Sequence, residues 1–317
     1  MTETWQIVSK HRAELMALSI LWVIVFHFNT PPVITILDSF RSIGCGGVDI
    51  FFFLSGFGLC NSYYHRSGIT SMNFYKRRFL RILPAYFLCI IVFGLIKSLP
   101  VTDLLWQMSC IGFWIHKPYY DWYVQSILLL YLVFPIFIKL ARRYGIGKIV
   151  LFASILGLVP TLFFIYINKG TWILFTSRVP LFFIGAYAGY MLAESKCIRR
   201  HMMMIGISLI VFFVELYLAR LYDYESMHRM GLYYLPQIFI VPGGCLLIAK
   251  FLDAMPSIVL KPLKTLGAMT LEIYLIHMSM RSIFPESKFI LPILIAIAVH
   301  YGLNMFIKKI QKKKHSI

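Results

Sequence analysis

His27 closes an almost unbroken apolar run, "ALSILWVIVFHF", and Asp49 stands near the start of the next, "GGVDIFFFLSGFGL". An imidazole can take a proton at neutral pH, and a carboxylate beside it would fix its tautomer and stabilise the imidazolium. If both runs are helices of opposite direction, the two residues meet at one level. The plainer readings are a histidine at a membrane surface and an aspartate at a helix N-terminus behind two glycines. "TLEIYLIH" adds Glu272 and His277, five residues apart and so on different faces of a helix. Ionisable groups at membrane depth are costly unless they face a cavity or a partner. Arg178, in "SRVPLFFIGAYAGY", could hold a developing oxyanion or an anionic acceptor, or snorkel to lipid phosphate. In "NFYKRRFLRILPAY" the cations Lys76, Arg77, Arg78 and Arg81 crowd together, with Arg78 and Arg81 at i, i+3 spacing. Such a cluster binds phosphates, and it is also what an ordinary membrane anchor looks like. Trp122 and Tyr123 in "YYDWYVQS" suit stacking on a sugar ring or membership of an interfacial aromatic belt.

The elements that must position these residues follow from composition. The 317 residues are 59% hydrophobic, 16% aromatic and only 14% charged, with a mean hydropathy of +0.76. Soluble domains carry about a quarter charged residues. Apolar windows recur near 13–28, 46–64, 79–97, 122–140, 148–167, 176–193, 202–219, 231–250, 265–284 and 289–307. A spanning helix needs about 20 apolar residues, so the expected fold is all-α: a polytopic transmembrane bundle of about ten membrane-spanning helices. Residues 101–115 are apolar but too short to span, which suits an interfacial or re-entrant segment. No linker or polar block divides the chain, so one integral-membrane domain over 1–317 is expected. No small-residue cleavage site follows His27, so the first run is not read as a cleaved leader.

Alternate connections hold more than two thirds of the 31 Lys and Arg, including both terminal segments. The positive-inside rule then puts both termini in the cytoplasm and His27 near the outer end of the first span. The net charge of +18 is thereby explained by topology and anionic lipid, and no nucleic-acid partner is needed. Six cysteines (Cys45, Cys60, Cys89, Cys110, Cys197 and Cys245) show no CxxC spacing, which argues for packed thiols and against a metal site.

Taken in order, "LMALSILWVIVFHF", "GGVDIFFFLSGFGL", "NFYKRRFLRILPAY", "DWYVQSILLLYLVFPI", "RVPLFFIGAYAGY" and "TLEIYLIH" resemble the acyltransferase-3 family of bacterial membrane enzymes that O-acylate surface glycans and related acceptors. The resemblance runs from the first window to the ninth. It implies transfer of an acyl group, usually acetyl from cytoplasmic acetyl-CoA as co-substrate, to a hydroxyl on the outer side. The expected location is the bacterial cytoplasmic membrane, among membrane lipids, a glycan acceptor and glycan-biosynthesis proteins. His27 matches the histidine of the family's R-x10-H pattern, and Arg78 and Arg81 match its inner RxxR. Arg178 and Glu272 fall where the family shows an arginine and a glutamate. An added extracytoplasmic esterase-like domain, present in some members, is not expected in these residues.

One departure stands out: the arginine of the R-x10-H pattern is Met16 here. Arg12, one turn further inward, is expected to substitute by reaching upward. The resulting scheme has His27 as general base oriented by Asp49, Arg178 or helix-terminal amides at the oxyanion, and Glu272 as a further catalytic candidate. Arg12, Arg77, Arg78 and Arg81 attend the donor; Trp122, Tyr123 and His277 attend the acceptor. A transporter or flippase-like protein for lipid-linked glycans, its buried charges lining a pathway, would instead predict related halves with broken helices; a non-catalytic sensor or assembly subunit would suit the Met16 departure.

Overall fold

The computed structural model describes residues 4–27, 35–65, 70–115, 121–196, 200–283 and 290–314. Cys197 and the last residue of the first expected window lie outside them. Among the described residues there are helices and no strands. The helices are α1 Thr4–Lys10, α2 Arg12–Phe26, α3 Thr35–Ser42, α4 Gly46–His65, α5 Ser71–Ile96, α6 Val101–Met108, α7 Gly112–Ile115, α8 Trp122–Tyr144 and α9 Ile146–Tyr166. There follow α10 Gly170–Thr176, α11 Val179–Ala193, α12 His201–Leu221, α13 Tyr224–Arg229, α14 Gln237–Asp253, α15 Ser257–Ala268, α16 Thr270–Ile283 and α17 Ile290–Lys314. Among the described residues, five stretches are long and apolar enough to cross a bilayer: α5, α8, α9, the α10–α11 segment Gly170–Ala193, and α12. This is a multi-pass helical membrane architecture.

Each expected window overlaps a helix, with informative shifts. The third begins at Ser71 because the Thr70 hydroxyl caps the amide of Asn73 and lets the cationic turns join the span. The eighth begins at Gln237, after a run of turns in which Gly231 takes φ +71°. The ninth is interrupted at Met269 between α15 and α16. Residues 101–115 form two short helices. Prolines inside α5, α8, α9, α14 and α15 are tolerated, as in other helices that membrane neighbours support.

The contacts divide the chain into two compact units, Met1–Ile69 with Val133–Ala268, and Thr70–Leu132 with Met269–Ile317. In the first, α4 and α11 cross with their backbones nearly touching. A Cβ on Gly56 would collide with the Phe182 carbonyl, and one on Gly185 with the Phe53 carbonyl. Lipid tails are as apolar as leucine, so close small-residue packing is what holds such a pair together. Gly185→Leu should therefore abolish folded protein in detergent extracts, read by size-exclusion profile. Gly206→Leu, where an added Cβ meets nothing within 4 Å, should leave the profile intact.

Also in this unit, α2 runs antiparallel to α4: Gly47 rests on the Ser19 carbonyl and Gly44 on the Trp22 carbonyl. Around them Trp5, Leu15, Phe53, Leu54, Phe57 and Leu246 form a continuous apolar core. The second unit is tied by a buried polar knot. The Tyr86 hydroxyl of α5 lies 2.5 Å from Asp121 Oδ2 and 2.9 Å from the Gln107 carbonyl. Gln125 Nε2 donates to the same carboxylate, while its Oε1 accepts the amide of Phe113.

Candidate functional site

In the first unit, His27 follows the last residue of α2, its amide donating to the Ile24 carbonyl at 3.0 Å. Its half-buried ring stands edge-on to Phe26, with centroids 4.9 Å apart. Asp49 sits in the first turn of α4 and is wholly buried. Its Oδ2 accepts from Arg178 Nη2 at 3.0 Å; Arg178 is 1% exposed. The expected partner of Asp49 was His27; the hydrogen bond its Oδ2 makes is to Arg178. The reason is electrostatic. A buried carboxylate is sustained by a full countercharge with directed donors, which a guanidinium supplies and an imidazole at a helix end does not.

Arg178 is equally occupied. Nη1 donates to the Leu174 carbonyl at 2.8 Å, and the guanidinium lies 5.2 Å from the centre of the Tyr234 ring. The Tyr234 hydroxyl is 2.5 Å from His228 Nδ1. Burial, and then the charge of Arg178, push the His228 imidazole below its ordinary value. A neighbouring pair completes this buried polar set: Gln237 Nε2 donates to both oxygens of Glu215 at 3.0 Å. Glu215, His228, Tyr234 and Gln237 were not among the residues expected from the sequence. Glu215 had a usable signal, a carboxylate inside the apolar "FFVELYLA"; the others gain their partners only through tertiary packing.

Arg12 does not reach upward. Its Nε donates to the Leu54 carbonyl at 3.1 Å, and its guanidinium covers Gly58. The C-terminal end of α2 abuts Gly44, two residues before α4 begins. Arg12 thus lies against the middle of α4, away from His27 at the end of α2. Met16 packs among the apolar core. A charged donor on a carbonyl contributes about 1.5–3 kcal/mol, so Arg12→Ala should lower the thermal midpoint measurably, checked by a fluorescence melt in detergent.

The second unit holds the remaining candidates. Arg77, Arg78 and Arg81 lie in the early turns of α5; Arg78 is half-buried with its guanidinium 5.9 Å from the Phe74 ring centre, while Arg77 and Arg81 are exposed. Glu272 Oε1 is 2.9 Å from His300 Nδ1, and His300 Nε2 is 2.9 Å from the Asn304 amide nitrogen. His300 escaped the sequence reading because it sits in a window that otherwise looks like an anchor. His277 is buried. Tyr123 is also buried, edge-on to Tyr274 at 5.2 Å. Trp122 is half-buried beside Phe113. Among the described residues no group of His, Cys, Asp or Glu is disposed to hold a metal ion, and Cys45, Cys60, Cys89, Cys110 and Cys245 are free thiols.

No curated protein and no solved structure matches the chain. A family model does: that of the acyltransferase domain of the acyltransferase-3 family, over residues 15–305. That match takes in α2 from Leu15 onward with His27, the Asp49–Arg178 ion pair, the α5 arginines and the Glu272–His300 pair. The chain belongs to the acyltransferase-3 family and is an acyltransferase of the class that transfers groups other than amino-acyl groups.

Proposed function

We propose that this enzyme moves an acyl group, acetyl in the first instance, from cytoplasmic acyl-CoA to a hydroxyl of an extracytoplasmic or lipid-linked glycan. Its place is the bacterial cytoplasmic membrane, with both termini inside. The observation that supports the reading is His27: an imidazole at the C-terminal end of an apolar helix, within a chain that matches an acyltransferase family almost throughout. In the proposed step the acceptor oxygen attacks the thioester carbonyl and its proton passes to His27. The C–O bond forms, the C–S bond breaks, and CoA leaves as the thiolate, which then takes up a proton. Arg77, Arg78 and Arg81 hold the donor's phosphates, for which bidentate guanidinium contacts are suited. Arg178, locked to Asp49, acts as a structural pillar. Helix-terminal amides are left to meet the oxyanion.

The test is direct. The purified chain in lipid nanodiscs is given acetyl-CoA, and thiol release is followed with and without an envelope glycan extract. Acceptor-dependent release, with an ester appearing on the glycan, supports the reading. Release that is absent under all conditions, together with unchanged glycan esters in cells lacking the gene, overturns it.

A further inference from the structure

A groove of about 580 Å³ lies within the first unit between α2, α12 and α14. On α2 its wall is the stripe Leu15, Leu18, Trp22 and Val25, and Phe212 and Gly244 line it from the other two helices. The α2 stripe covers about 15 Å at 1.5 Å per residue. The polar side chains along it are turned to other partners: Ser19 Oγ donates to the Leu15 carbonyl, Ser208 Oγ to the Phe239 carbonyl, and the Gln237 amide to Glu215. Its surface is therefore hydrocarbon, and such a space stays dry and takes an apolar guest. Phe40, Leu209 and Phe251 on its rim are exposed, so a chain can enter sideways from lipid.

What distinguishes this groove from ordinary lipid-facing surface is where it leads. Val25 at its end is followed by Phe26 and His27. The Phe26 ring lies 6.1 Å from Tyr224, which is 55% exposed and stacked on His228 at 6.2 Å with an interplanar angle of 17°. That platform is fixed in place: Asp223 caps α13 by accepting the Ser226 amide at 2.6 Å, and His228 is held by Tyr234. An aromatic face suits the C–H face of a pyranose, and the platform stands outside the spanning helices beside the candidate base.

Resting on the reading above, we infer that the acceptor is a glycolipid whose hydrocarbon chain lies in this groove and whose sugar stacks on Tyr224. Docking the chain makes the sugar's encounter with His27 intramolecular, which lowers the acceptor concentration needed. The occupant is thus a sugar joined to a long chain; a finished, water-soluble polysaccharide would leave the groove unused.

The experiment uses the full chain in nanodiscs with radiolabelled acetyl-CoA. It offers two acceptors from the same cells: the organic-extractable glycolipid fraction and the delipidated polysaccharide. Label should pass to the glycolipid. Gly244→Trp fills the groove where an added Cβ meets nothing within 4 Å; it should raise the glycolipid KM at least tenfold with kcat kept. Gly206→Trp, equally unobstructed but outside the groove, should change neither. Tyr224→Ala should raise KM and Tyr224→Phe should restore it. Label only in the polysaccharide, or a glycolipid KM unmoved by Gly244→Trp in folded protein, overturns the inference and leaves the acyltransferase reading standing. The second result would assign the groove to bulk lipid. Label in neither fraction with no thiol release overturns both.

Discussion

His27→Ala should lower acceptor-dependent acylation by about 10²–10⁴-fold, the usual worth of a general base, while the folded yield stays at the wild-type level. The stability half of the expectation comes from position. His27 is half-buried, follows the last residue of α2 and stands edge-on to the adjacent Phe26; it is not part of the packed core around Phe53 and Leu246. Single-turnover measurement with pre-bound acetyl-CoA separates the chemical step from donor binding. A companion variant makes the expectation sharper. Because the carboxylate of Asp49 is bonded to Arg178, folded Asp49→Asn protein should show the wild-type pH dependence of rate. A shifted acidic limb there would restore Asp49 as the partner of the base. Near-wild-type acylation by His27→Ala would remove the imidazole from the mechanism.

How far the sequence carries the reader can be judged from these same residues. Apolar length placed a helix in each expected window, because a membrane demands long runs with satisfied backbones whatever the partners, although among the described residues five stretches, against the ten expected spans, are long and apolar enough to cross. It missed the early start of α5, where a Thr70 cap and cationic turns extend the helix past the apolar stretch, and the turns before α14, which are apolar without being helical. Pairing was harder. Asp49 and Arg178 are 129 positions apart, and nothing local says that the aspartate faces α11 instead of α2. Helices such as α4, buried along most of their length, carry no polar stripe to reveal their facing. Arg12 illustrates the same limit: a flexible cation can be assigned to a helix end from its number, but the carbonyl that captures it belongs to another helix. His300 and Glu272 show the converse, a strong individual signal in Glu272 whose partner lay in a segment read only for its length.

The ion pair carries the other large expectation. Arg178→Met should destabilise the protein by about 3–5 kcal/mol, because it strands a carboxylate that is 0% exposed. The loss also frees the Leu174 carbonyl and removes the cation from the Tyr234 ring. Arg178→Lys should recover only part of the loss, since an ammonium is a point charge without the planar fork that reaches Asp49 and Leu174 together. The decisive variant is the double one. Replacing Asp49 with leucine in the Arg178→Met background removes both charges, and buried pairs exchanged for apolar residues are often neutral in stability. Thermal midpoints in detergent should therefore fall sharply for Arg178→Met and return most of the way in the double variant. Turnover of that double variant then tells two roles apart. If the pair only props α4 against α11, restored folding restores acylation; if Arg178 also meets the oxyanion, folding returns and the rate does not. The geometry favours the first outcome: two guanidinium nitrogens already have protein acceptors at 2.8 and 3.0 Å, and the side chain is 1% exposed. A double variant that stays as unstable as Arg178→Met would mean that the cost lies in lost packing around Tyr234, with the stranded charge a minor part.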